Sequence, residues 1–116
     1  MICVKVYNKL VRDKVPEIIR ESGSECEITN ATDAQYFKLL RLKLRDEMHE
    51  FIETENIEEL ADIMEVIFSL AKALGYTEED LIKAREDKRK EKGGFDEGII
   101  LKNIFVEDWD FTRHAE

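Results

Sequence analysis

The sequence predicts a mainly all-α fold: an antiparallel helical hairpin that needs a second subunit to cover it, with short β segments at both ends. Three observations carry this. Only 5 Gly and 1 Pro interrupt 116 residues, while 43% are hydrophobic and 39% charged, a composition that fits helices and excludes collagen-like or mostly disordered chains. Polar residues followed three positions later by Glu, Gln or Asp recur at the starts of apolar-periodic stretches, as helix N-termini require. Within those stretches apolar residues return every three or four positions, the period of a one-sided helix.

Taken in order, residues 2–7 (ICVKVY) alternate loosely and predict a short strand. Pro16 suits a first helical turn, and Gly23 ends the short helix that it opens. Residues 24–31 read as a loop. Thr32 with Gln35 opens a long helix to about Thr54, and Asn56 with Glu59 opens another that stops at Gly75. Thr77 with Asp80 starts a fourth, broken at Gly93-Gly94. Residues 98–106 (GIILKNIFV) are β-rich and expected to pair with the N-terminal strand or among themselves. No repeat or linker divides the chain, so residues 1–116 are expected to form one domain.

Two cysteines, Cys3 and Cys26, lack a metal spacing and suit a reduced, cytoplasmic protein. The start MICVKVYNK is too short and too charged for a secretory signal, and no run of 18 apolar residues would span a membrane.

Apolar residues at 57, 60, 64, 67, 71 and 74 predict one core seam on the third helix, which Ile63, Val66 and Leu70 widen. The resulting arc exceeds the stripe of roughly 100° that a surface helix needs. A second subunit is the simplest cover for the excess, so a homo-oligomer is expected.

Charge is concentrated. The net charge is −9, from 27 acids and 18 bases, yet residues 46–65 (DEMHEFIETENIEELADIME) hold nine acids and no Lys or Arg. A nucleic-acid partner is not expected, because a nucleic-acid binder presents a basic patch instead. At 100° per residue, Glu47 falls inside the apolar arc drawn by Tyr36, Phe37, Leu40, Leu44, Met48 and Phe51, and Glu50 lies at its edge. On the next helix Glu59 falls between Val66 and Leu70, and Asp62 borders the arc. Glu53, Glu58 and Glu65 point to solvent. Carboxylates seldom face a core without a partner.

A turn near Asn56 makes the two helices antiparallel. Reflection about that position sets Glu50 level with Asp62, with Glu47 and Glu59 about 4.5 Å to either side. Four all-oxygen ligands without His or Cys suit Mg²⁺ or Mn²⁺ rather than Zn²⁺. Six like-charge pairs at helical spacing (Asp46/Glu50, Glu47/Glu50, Glu50/Glu53, Glu58/Asp62, Glu59/Asp62 and Asp62/Glu65) cost about 1–3 kcal/mol before screening, which a divalent ion would relieve. Mg²⁺ is commonly shared with substrate phosphates. Candidate phosphate-binding cations are Lys9, Arg12 and Lys14 near the start, and Lys88, Arg89, Lys90 and Lys92 before Gly93-Gly94. Walker-type loops, HExxH and CxxC are absent from the sequence, and Ser69, Asp108, His49 and His114 suggest no triad. Trp109 and Phe111 read as a packed tail in preference to base-contacting residues.

The pair Glu47-x-x-Glu50 followed by Glu59-x-x-Asp62 resembles the EExxE…ExxD pattern of the all-α nucleoside triphosphate pyrophosphohydrolases, the MazG-like superfamily that includes phosphoribosyl-ATP pyrophosphohydrolase. YNKLVRDKVPEII (7–19), ELADIMEVI (59–67) and KEKGGFDEGIIL (90–101) are similar to its predicted house-cleaning branch. Asp46 replaces the first Glu of the pattern. Only eight residues separate Glu50 from Glu59, shorter than is usual there, and Glu65 is the substitute ligand should Glu59 point away.

The resemblance implies one MazG-like domain, dimeric or tetrameric on a four-helix core. It implies Mg²⁺-dependent hydrolysis of a nucleoside triphosphate, of the non-standard kind that house-cleaning enzymes remove, to the monophosphate and pyrophosphate. Glu47, Glu50, Glu59 and Asp62 would hold metal, Glu50 would act as general base, and Lys9, Arg12, Lys88 and Lys92 would grip phosphates. Two alternatives are phosphoribosyl-ATP pyrophosphohydrolase itself and a non-catalytic helical adaptor or antitoxin-like module whose acidic hairpin binds a basic partner.

Overall fold

The computed structural model describes residues 3–106. Four helices follow one another: α1 (Val15–Glu21), α2 (Asp33–Thr54), α3 (Ile57–Ala73) and α4 (Glu78–Lys92). The chain divides into two compact units, Met1–Ala84 and Arg85–Glu116, and α4 runs across the boundary.

Local chemistry sets the helix ends. At α2 the Thr32 hydroxyl accepts from the Gln35 amide while the Gln35 side chain accepts from the Thr32 amide, a complete capping box. Thr77 and Asp80 make the same reciprocal pair before α4. Asn56 caps α3 by accepting from the Glu59 amide at 3.0 Å. Here the second half of the box is not made; the Glu59 side chain turns toward Glu47 instead. Pro16 occupies the first turn of α1. Helix α3 runs out at Gly75, whose φ of 93° lies where a side chain would be strained.

Between α2 and α3 stand only Glu55 and Asn56. Glu55 is left-handed, with φ 54° and ψ 29°, a conformation that costs a non-glycine residue about 1–2 kcal/mol. So short a link makes the helices antiparallel neighbours, and within the first unit α2 and α3 pack side by side.

The core is small. Leu40, Val66 and Ala71 are the buried apolar residues among those described, with Phe37, Leu39, Leu44, Phe51, Ile63, Phe68 and Leu70 half-buried around them. The predicted seam on α3 is therefore corrected. Of its six positions only Ala71 is buried, while Ile57 (74%), Leu60, Met64 (55%), Ile67 and Leu74 are exposed. The face with Val66, Ile63 and Leu70, expected merely to widen the seam, is the more buried one. Both faces are apolar, and Glu59 and Asp62 belong to the one turned toward α2.

The terminal β segments are a second departure. Residues 3–7 and 98–106 form no strand in the single chain. A strand exists only as part of a ladder, and Val4, Val6, Ile99, Ile100 and Phe105 are all largely exposed. Among the described residues no helix is long and apolar enough to cross a membrane.

Candidate metal centre

The acids sort by depth as helical phase dictates. On α2, Glu47 is almost covered, its side chain 12% exposed, whereas Glu50 and Glu53 are exposed. On α3, Glu59 and Asp62 are half-buried, while Glu58 and Glu65 face solvent. Antiparallel packing then brings Glu47, Glu59 and Asp62 together, with one carboxylate oxygen of each within 4.8 Å of the others. Glu50 stays outside this trio, one turn along the exposed edge, and its charge still reaches Glu59.

Charge inside the trio is only partly compensated. Lys43, one turn back on α2, places Nζ 3.2 Å from Glu47 Oε1. Arg12 reaches across from the segment before α1 and donates from Nη2 to Asp62 Oδ1 at 2.7 Å. No cation pairs with Glu59 among the described residues. Its pKa is raised above the ordinary 4.5, first by partial burial, then by the charge of Glu47, by a hydrogen bond to Glu47 and by the charges of Asp62 and Glu50. Glu59 thus holds a proton more tightly in the folded chain than an ordinary glutamate does.

That shift has a consequence for stability. A carboxyl whose folded pKa exceeds its unfolded one binds more protons in the native state, so its contribution to stability falls as pH rises through the interval between the two values. In EDTA, Glu59→Gln is expected to gain melting temperature over the wild type progressively as pH climbs from 4.5, levelling off above the raised value. Thermal melts at several pH values check this. A gap between the two proteins that does not change with pH would mean that Glu59 carries no excess proton affinity.

Do the trio suit a metal? All donors are carboxylate oxygens, the set that hard divalent cations take. Two oxygens bound to one Mg²⁺ at about 2.1 Å lie at most about 4.2 Å apart. The 4.8 Å limit of the trio is thus within a small rotamer adjustment of a binding geometry. Three half-buried acids on two packed helices fit such an ion.

The predicted phosphate-binding cations are distributed differently. Arg12 is at the trio. Lys9 is exposed in the same unit and makes no ion pair among the described residues. Lys88 and Lys92 lie on the part of α4 that belongs to the second unit, exposed, where Arg89 pairs with Asp96 at 3.4 Å. Glu65, held in reserve as a ligand, is exposed and outside the trio. The readings placed on Asp108, Trp109, Phe111 and His114 lie outside the described residues. Sequence reasoning passed over Lys43, although its i, i+4 spacing from Glu47 is a visible pairing signal.

No protein-family model, curated protein or solved structure matches this chain.

Proposed function

We propose that this protein is a Mg²⁺-dependent nucleotide pyrophosphohydrolase that converts a nucleoside triphosphate, of the non-standard house-cleaning kind, to its monophosphate and pyrophosphate. The observation that carries the reading is the trio itself: three carboxylates half-buried on facing helices, one with a raised pKa. The sequence resemblance across residues 7–19, 59–67 and 90–101 points the same way. An adaptor or antitoxin-like module has no use for acids turned inward against a neighbouring helix.

Glu47, Glu59 and Asp62 would hold the cation, Mg²⁺ or equally Mn²⁺. Bound there, it would offset charge developing on a phosphate chain. Glu50, exposed beside the trio and free of any ion pair among the described residues, would accept a proton from an attacking water. Lys9 and Arg12, in the same unit, would supply positive charge for phosphate oxygens.

Assembly belongs to the same reading. Ile57, Leu60, Met64 and Ile67 form an exposed stripe on α3, and Leu44, Met48 and Ile52 line an open groove on α2 with Arg41, Arg45 and His49. Exposed apolar surface of this kind marks an interface, and a second hairpin laid on it would complete a four-helix core as a homodimer or homotetramer. The acidic balance of −9 argues against nucleic acid as a partner. The free thiols of Cys3 and Cys26 suit a reducing, cytoplasmic setting.

The test is pyrophosphate release from a panel of standard and modified nucleoside triphosphates, with phosphoribosyl-ATP included, in Mg²⁺ and in EDTA. Release from at least one nucleotide, abolished by EDTA, is the expected outcome. Turnover confined to phosphoribosyl-ATP would move the assignment to the biosynthetic enzyme. Silence across the panel would leave the adaptor reading in its place.

A further inference from the structure

Arg12 stands fifty residues from Asp62 in sequence, yet its guanidinium reaches the trio from outside the hairpin. Its backbone is fixed at the start of α1, where its carbonyl accepts from the Val15 amide at 3.0 Å. The side chain is 56% exposed. One Nη2 donates to Asp62 Oδ1, and the remaining N–H groups meet no acceptor among the described residues. A guanidinium carries five donors in a rigid plane, so most of the fork is unused.

This placement sets two opposite electrostatic effects. Four carboxylates (Glu47, Glu50, Glu59 and Asp62) are faced by two cations, Lys43 and Arg12. A bare divalent ion entering the trio has to share Asp62 with a positive group already hydrogen-bonded to it. A divalent ion that arrives carrying a phosphate chain brings negative oxygens with it. Those oxygens can take the unused donors of the same guanidinium, in the planar, bidentate manner that Arg offers and Lys does not.

Resting on the metal-site reading above, we propose that Arg12 couples the two ligands: it opposes binding of a bare divalent cation and favours binding of a cation–polyphosphate complex. The trio is thereby selective for the loaded form of its cation. Lys43, which pairs with Glu47 from the same helix at i, i+4 spacing, balances charge locally and takes no part in this exchange.

Calorimetric titration of the full chain with Mn²⁺ alone, and separately with magnesium tripolyphosphate, reads both effects without depending on turnover or on the nucleobase. For Arg12→Gln the Mn²⁺ Kd should fall about 3- to 10-fold, as a nearby positive charge is removed. The tripolyphosphate Kd should rise about 10-fold or more, as a charge-assisted hydrogen bond is lost. Arg12→Lys should bind Mn²⁺ much as the wild type does, yet bind tripolyphosphate more weakly than the wild type. Opposite signs in the two titrations are the mark of coupling. If Arg12→Gln weakened both ligands, Arg12 would merely hold Asp62 or α1 in place, and the proposal would fall. It would fall equally if either affinity were unchanged. A wild-type chain that binds no Mn²⁺ would overturn the site as well as the role of Arg12.

Discussion

Asp62→Asn is expected to cost at least about 10²-fold in turnover, the scale seen when one element of transition-state charge stabilisation is removed. Asp62 is half-buried, shares the trio with Glu47 and Glu59, and carries the one contact to Arg12. The amide keeps the shape but withdraws the charge from both partners, so cation affinity should drop together with rate. Glu50→Gln should cost a similar factor for a different reason. Glu50 lies outside the trio, so its loss should slow turnover while leaving Mn²⁺ affinity nearly intact. Glu53→Gln and Glu58→Gln remove equal charge from exposed positions and should change the rate by no more than a few-fold. Steady-state kinetics beside Mn²⁺ titration separate these classes. If all four substitutions slowed the reaction alike, general electrostatics would explain the data and the specific site would have to be given up.

Met64→Glu is expected to break the assembly. In the single chain Met64 is 55% exposed, at the middle of the stripe formed by Ile57, Leu60 and Ile67. Burying each such side chain is worth about 1.5–3 kcal/mol, and an unpaired carboxylate placed there would reverse the gain. The wild type should sediment as a dimer or tetramer at micromolar concentration. The variant should approach the 13.6 kDa monomer and melt at lower temperature, since the monomer has so few buried residues of its own. A wild type that sediments only at 13.6 kDa would remove the reason for the exposed stripe offered above.

What could be read from the sequence was whatever depends on neighbours within one or two turns. Thr32 with Gln35 and Thr77 with Asp80 announce helix starts because both partners of each bond lie three residues apart. Helical phase separates Glu47, Glu59 and Asp62 from Glu53, Glu58 and Glu65, and a two-residue link leaves antiparallel packing as the arrangement of α2 and α3. Glu50 shows the resolution of that method. An acid at the edge of an arc can fall on either side of it, and this one falls outside.

Three features lay beyond such reasoning. Helix α3 is apolar on two faces, and periodicity cannot say which of them meets α2; the Val66 face does, not the Ile57–Met64 face. Residues 2–7 and 98–106 have strand-like composition, but a ladder needs a partner that composition does not supply. Arg12 reaches Asp62 across fifty residues, and no local pattern links the two. Each is a tertiary choice among locally equivalent options.

Everything proposed above follows from Glu47, Glu59 and Asp62 holding one divalent cation together for phosphate chemistry. Anomalous diffraction from crystals grown with Mn²⁺ and tripolyphosphate tests it most directly. The expected result is an anomalous peak about 2.0–2.2 Å from an oxygen of each of the three carboxylates, with phosphate density beside the Arg12 guanidinium. Ordered crystals at millimolar Mn²⁺ with no peak among these acids, or with the ion elsewhere and the Arg12–Asp62 pair untouched, would contradict it.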